Sequence, residues 1–339
     1  MKIISFFNHK GGVSKTTSAY HLGWMLTNKG KRVLLVDTDS QCNLTLTVIG
    51  QDNYEEFVTH HPQNNIKSGL SVAFEAKPEL IKPVECVQVK DNKNLFLLPG
   101  SFEITEYEVS LGVSFQLTHA FTTMKNLPGA FYYLIKKTSE QVGADIVLLD
   151  LNPSLSAINQ DLIISSDFFI LPTSPDYFSE MAIKSIARIL PMWEKWAKQA
   201  RPLFEDATYP LPMNTPKFLG YTFNDFTIHK GKAANAFQRI MEEIEKTVKD
   251  ILIPSLDRVN MALPSDAYRK YCLAEIPNFH TFQARYQEYG VPVFELTEEM
   301  IGSKKDTLEN QKVRREKLKC LFSDAAEEIL RLMDYAESY

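Results

Sequence analysis

The segment His9-Lys10-Gly11-Gly12-Val13-Ser14-Lys15-Thr16-Thr17 combines two glycines, two lysines and three hydroxyls, directly after the apolar run Ile3-Ile4-Ser5-Phe6-Phe7. That combination suits phosphate chemistry. Glycines let successive backbone N–H groups turn toward phosphate oxygens, a following helix aims its positive N-terminus at the same point, and lysine adds fixed charge. Lys15 is placed to reach the β- and γ-phosphates of a nucleoside triphosphate, and the Thr16 hydroxyl to ligate magnesium, as in a G-x-x-x-x-G-K-[ST] loop. The two glycine positions of that general pattern fall here on His9 and Ser14. What stands instead is Lys-Gly-Gly-x-x-Lys-Thr, with a second lysine, Lys10, ahead of the first glycine.

Two acidic segments supply the rest of a phosphoryl-transfer site. Val33–Val36 runs into Asp37-Thr38-Asp39-Ser40-Gln41-Cys42-Asn43, and Ile146–Leu149 into Asp150-Leu151-Asn152-Pro153-Ser154. Carboxylates at the C-terminal ends of parallel strands open into the crevice where such sheets bind ligands. Triphosphate hydrolysis needs little covalent chemistry, so a carboxylate that orients water, a metal and fixed positive charges suffice. Asp39 is the candidate to position or activate the water, Asp37 to support the magnesium shell, and Asp150 to hold magnesium through water opposite Thr16. The plainer alternative is that the aspartates cap helices. His9 is a further acid/base candidate or a solvent-facing histidine.

These residues need a scaffold of short buried strands and intervening helices. Continuous apolar runs predict strands at 3–7, 33–36, 95–98, 146–149, 168–171 and 218–223, and spacing at three and four predicts helices near 15–29, 127–141, 179–199, 232–251 and 311–336. Alternation of the two predicts an α/β fold with a mainly parallel sheet covered on both faces. Gly30 sits where the first helix would end. At 339 residues and 44% hydrophobic content, one domain spanning 1–339 is expected, with insertions near 51–92 and 195–215 and a C-terminal helix. The apolar runs are shorter than the roughly 18 residues that span a bilayer, and the phosphate loop begins too early for a secretory signal, so a cytoplasmic protein is expected. Cys42, Cys86, Cys272 and Cys320 lie far apart, which argues against zinc or a disulfide framework. The net charge of −5 requires any nucleic-acid binding to come from a local basic patch.

The loop resembles the deviant Walker A loop of the ParA/MinD family, K-G-G-V-G-K-T-T, from which only Ser14 departs. Residues 37–43 are similar to that family's D-x-D-P-Q-x-N with Ser40 for the proline, and 150–154 to its Walker B D-x-P-P-S with Asn152 for the first proline. Ile170-Leu171-Pro172-Thr173-Ser174-Pro175-Asp176-Tyr177-Phe178 resembles V-I-P-x-x-P-E-Y-F, while Ile276-Pro277-Asn278 and Gly290-Val291-Pro292-Val293 resemble the closing I-P-R-x and G-K-P-V segments. The resemblance implies a P-loop NTPase sheet with ATP and Mg2+ as cofactors. Phosphate contacts would then come from Lys10, Gly11, Gly12, Val13, Ser14, Lys15, Thr16 and Thr17, with Asn224, at the end of strand 218–223, and Pro277 beside the base. Lys10 would reach the partner's nucleotide across an ATP-dependent homodimer. The implied cycle is closure with ATP, engagement of a track or partner, and opening on hydrolysis, as in DNA or plasmid partition or cargo positioning.

Nonspecific DNA is one implied partner, through Lys230, Lys232, Lys304, Lys305, Lys312, Arg314, Arg315, Lys317 and Lys319. Glu298, Glu299, Asp306, Glu309 and Glu316 are interleaved with the C-terminal set, so a solvated helix face is the stronger reading there. A protein adaptor or stimulator is a second implied partner. Membrane attachment of the MinD type is not expected: Leu318, Phe322, Ala325 and Ile329 form an apolar face, yet Asp324, Glu327, Glu328 and Asp334 would be repelled by anionic lipid. The nitrogenase iron protein shares the loop type, but the cysteine spacing gives no support for a cluster. A regulatory ATPase acting on a protein partner, and an ATP-coupled metabolic enzyme on the same fold, remain as alternatives.

Overall fold

The computed structural model describes residues 1–116, 122–229, 232–233, 235–302 and 305–338. Its strands are β1 (Lys2–Phe6), β2 (Val33–Asp37), β3 (Val87–Gln88), β4 (Leu95–Leu98), β5 (Ile146–Asp150), β6 (Phe168–Thr173), β7 (Lys217–Phe226), β8 (Ile228–His229), β9 (Lys232–Ala233) and β10 (Cys272–Pro277). Eight of them form one sheet in the order β10-β7-β6-β1-β5-β2-β4-β3, while β8 and β9 pair as a separate ribbon. All neighbours in the large sheet are parallel except the edge pair β3–β4.

The apolar runs explain this sheet. Successive side chains alternate between two cores: Ile3, Leu34, Val147 and Phe169 enter one, and Ile4, Leu35, Leu148 and Ile170 the other. Covering both faces requires helices on both. They are α1 (Lys15–Asn28), α2 (Asn43–Ile49), α3 (Tyr54–His60), α4 (Ile66–Phe74), α5 (Glu108–Gln116), α6 (Ala130–Val142), α7 (Ala157–Ile164), α8 (Tyr177–Ala200), α9 (Asn235–Thr247), α10 (Ile253–Asp257), α11 (Thr281–Tyr289), α12 (Glu298–Ile301) and α13 (Lys305–Ser338). α1 and α13 cover one face, with Leu22, Met25 and Leu26 beside Leu318, Phe322 and Ile329, while α6, α7 and α8 cover the other. α1 is buried almost all round because it lies between sheet and α13, and it ends where Gly30 takes φ +82°.

Every expected strand forms. β10 lies beyond the expected set, because Glu275 interrupts its apolar run, and α2, α5 and α7 are too short to give a clear period. Strand β7 runs to Phe226, so Asn224 lies inside it and does not end it as the sequence suggested; pairing with β10, Asn224 opposite Ile276, extends the strand. The 195–215 segment is stitched down by a buried ion pair. Arg201 donates to both oxygens of Glu194 at 2.9 and 3.1 Å and to the Pro212 carbonyl at 2.8 Å, and Thr215 donates to Glu194 at 2.7 Å.

Asp161, on α7, is fully buried, and among the described residues neither carboxyl oxygen has a hydrogen-bond partner. Burial pushes its pKa well above the ordinary carboxylate range. Above about pH 4 the unfolded chain releases this proton while the fold retains it, so stability falls as pH rises toward the folded value. Asp161→Asn is therefore expected to stabilise the protein at pH 8 by roughly 1–3 kcal/mol, a gain that shrinks by pH 5. Urea midpoints of the two proteins at both pH values provide the check.

Candidate active site

Three adjacent strands deliver the acidic residues and the loop to one place. β5 lies between β1 and β2, with Phe6 and Asp37 both opposite Asp150 in register. The Thr38 hydroxyl ties the strand ends together by donating to the Asp150 carbonyl at 2.7 Å. Asp37 is fully buried and accepts from Thr45 N at 2.8 Å, Thr45 Oγ1 at 2.7 Å and Asp39 N at 3.2 Å. It therefore holds the first turn of α2 from the strand end, while Cys42 is the N-cap of that helix.

Asp150 has the opposite environment. It is 1% exposed, and apart from the adjacent Thr16 hydroxyl no group among the described residues is placed to donate to its oxygens. Burial first, and the Asp37 carboxyl second, push its pKa up; nearby Lys15 and the Thr16 hydroxyl oppose the shift. An unpartnered carboxylate beside a threonine hydroxyl is the donor set of a hard cation. Among the described residues no group of three His, Cys, Asp or Glu side chains could hold a metal alone. That fits Mg2+, which commonly takes one or two protein oxygens and completes its shell with phosphate and water. Asp39 lines a cavity together with Lys15 and Thr16, and its Oδ1 accepts from Gln41 N at 2.9 Å.

The loop itself is held at both ends. Asn8 donates to the Pro172 carbonyl at 2.9 Å and accepts from Lys10 N at 3.0 Å, and Asn224 Nδ2 donates to the Val13 carbonyl at 2.9 Å. Gly12 takes φ +72° with nothing near a would-be Cβ, and Gly11 is exposed, so the backbone here is open to a ligand. Ser14 takes φ +60°, the left-handed region, at a cost of about 1 kcal/mol for a residue other than glycine. Lys15 is 7% exposed and its Nζ donates to the Lys10 carbonyl at 3.4 Å; burial lowers its pKa, against the pull of Asp150 and Asp39. Lys10 leaves the loop in another direction. Its Nζ ion-pairs with Asp176, the N-cap of α8, and donates to Ser179 Oγ at 3.2 Å.

Gly12 to Thr17 line a cavity of about 600 Å³ that also includes Asp39, Pro153, Gln283 and Tyr286. It adjoins a second cavity of about 290 Å³ whose walls include Asn224, Pro277, Phe279 and Phe322. Ser14, Thr17 and Gln283 belong to both. The second cavity mixes polar walls (Ser18, Asn224, Asp225, Asn278) with apolar ones (Ile276, Pro277, Phe279, Phe322), and Asn224 Oδ1 and Ser18 Oγ are buried without partners among the described residues. Behind α1, His21 stacks on Phe322 and burial lowers its pKa to about 3, so it is a neutral packing residue. Gln283 is a site residue that the sequence did not reveal.

The basic residues considered for DNA are differently placed. Lys230 and Lys304 lie outside the described residues, as do the side chains of Lys232 and Lys305. Lys312 ion-pairs with Glu298 and Glu309, Arg314 donates to the Asn278 carbonyl, and Arg315 donates to the Leu296 carbonyl at 2.6 Å. Arg314 and Arg315 thus anchor α13 to the body of the protein. Among the described residues no helix is long and apolar enough to cross a membrane.

Comparison with known proteins agrees with this geometry. A family described as AAA domain (AAA_31) matches residues 1–202. The chain belongs to this family of ParA/MinD-like P-loop ATPases. It is 29% identical over 192 residues to the chromosome-partitioning ATPase Soj of Thermus thermophilus, covering 57% of this chain and 61% of the relative. Its fold is similar to that of an ATP complex of Cyanothece McdA, with a TM-score of 0.64 and 14% identity over 97% of this chain and 96% of that one. It is also similar to pNOB8 ParA bound to nonspecific DNA, with a TM-score of 0.57 and 16% identity over 98% and 99%. The matches to the first curated relatives span 48% to 62% of their length.

Proposed function

We propose that the protein is a Mg2+-dependent ATPase whose ATP-bound form dimerises and acts in DNA partition or cargo positioning, with hydrolysis resetting the dimer. The observation that carries this reading is the division of labour between the two lysines. Lys15 is buried against the carboxylates within the cavity, while Lys10 projects across the surface to Asp176, next to exposed Tyr177, Phe178 and Met181. Exposed large apolar side chains beside a charged loop suit a face that a second copy covers. In this reading Thr16 and Asp150 hold Mg2+, Lys15 and the loop N–H groups neutralise phosphate charge, Asp39 orients water, and Asp37 acts through α2. The buried acceptor Asn224 Oδ1 suits an exocyclic amine, so adenine is favoured over guanine, which presents a carbonyl oxygen there.

Gel filtration of the protein alone, with ADP and with ATP, tests the dimer: ATP alone is expected to double the apparent mass. Titration of the ATP-bound form onto random duplex tests the DNA track. Binding is expected at about 50 mM salt and to fall steeply by about 200 mM, because each phosphate contact releases counterions. Arg314 and Arg315 are committed to anchoring α13, and this favours a second reading, a regulatory ATPase acting on a protein partner. Dimerisation with ATP and no DNA binding at low salt would select that second reading.

A further inference from the structure

Ser14 stands where the family's loop has glycine, and the structure keeps it in a glycine-like conformation at φ +60°, ψ +38°. A serine retained in left-handed backbone should do something glycine cannot. It does not cap α1: its side chain makes no capping hydrogen bond, and no partner for its hydroxyl is found among the described residues. It is half-buried, and it lines both the phosphate cavity and the adjoining cavity that holds Asn224. Residues flanking backbone that cradles phosphates, and shared by both cavities, lie at the join between base-plus-sugar and polyphosphate. In a nucleotide that join is the α-phosphate and its ribose ester.

We infer that Ser14 is a positioning residue whose hydroxyl donates to the α-phosphate, fixing the nucleotide at the step from base pocket to loop. The inference rests on the nucleotide reading above and adds a contact that glycine in the same loop would lack. An alcohol donating to a phosphate oxygen is a charge-assisted bond, and the strained backbone aims it before the ligand arrives. Gln283, contributed by α11, lines both cavities as well, with its Nε2 donating to Tyr286 OH at 3.3 Å.

The test uses the 339-residue chain and two variants, Ser14→Ala and Ser14→Gly, with calorimetric affinities for ATP, ADP, AMP and adenosine in Mg2+ buffer. Both variants are expected to lose about tenfold in affinity for ATP, ADP and AMP alike, with adenosine unchanged, since only the α-phosphate is common to the first three and absent from the last. Without ligand, Ser14→Gly is expected to melt higher than wild type and Ser14→Ala is not, because only glycine relieves the left-handed strain. Wild-type affinity for all ligands in Ser14→Ala would overturn the inference. So would a loss confined to ATP and ADP, which would move the contact to the β-phosphate, or an equal loss for adenosine, which would mean a distorted pocket. A wild-type chain that binds none of the four would overturn the nucleotide reading itself.

Discussion

Lys15→Ala is expected to weaken ATP binding by at least about 100-fold while leaving the fold intact, because it deletes the charge that a triphosphate needs most. Lys15 is 7% exposed, and burial already lowers its pKa, so its ammonium sits in a site where Coulomb interactions are only weakly screened. Asp39 and Asp150 flank it. Without Lys15 the two acidic groups would face the β- and γ-phosphates with only a bound metal ion to offset them, so the variant loses most of the site's attraction for anions. The fold should tolerate the change: among the described residues the only hydrogen bond of the Nζ is a long one to the Lys10 carbonyl. Unfolding free energies within about 1 kcal/mol of wild type are therefore expected, since burying the charge was itself unfavourable. Calorimetric titration with ATP reads the loss. Binding within about threefold of wild type would remove Lys15 from the phosphate site, and with it the assignment of the cavity.

How much of this site the sequence carried follows from the range over which each contact acts. The phosphate loop was legible because strand, glycines, lysines and helix start follow one another within a few residues, and each has a local physical reason. The three acidic strand ends were legible for the same cause, but their roles were not. Asp37 reads as a magnesium residue, and the sequence gives no sign that Thr45, eight positions on, occupies one of its oxygens with both N–H and hydroxyl. The partner of Lys10 is 166 residues away, where the N-cap of α8 meets the loop. Ser40 and Asn152, the two places where expected prolines are missing, hydrogen-bond to each other at 3.3 Å across 112 residues. The two departures meet in space, whereas in the sequence they read as unrelated. Arg314 and Arg315 read as surface charge because the helix period around them is polar, yet backbone carbonyls at Asn278 and Leu296 claim them. Backbone acceptors leave no trace in composition.

Asp39→Ala is expected to separate binding from hydrolysis. Its carboxylate is 6% exposed just past the end of β2, anchored on one oxygen by Gln41 N and lining the phosphate cavity. Removing it takes a negative charge away from the phosphates, so ATP affinity should hold or rise. The water loses the group that orients it and accepts its proton, which lowers turnover by about 10²–10⁴-fold. If nucleotide closes the dimer and hydrolysis opens it, the variant accumulates in the closed state. Gel filtration after mixing with ATP should show a persistent dimer, where wild type returns to monomer as phosphate is released. Under the proposed cycle, reaching that state would require Lys10 to leave Asp176 and exchange one carboxylate for a partner's phosphates, and excess salt that loosens the ion pair should then speed closure. An Asp39→Ala protein that binds ATP by calorimetry yet stays monomeric would break the link between nucleotide and dimer. Turnover equal to wild type would instead move the water-orienting role to another residue, leaving Asp39 as a lining group of the cavity.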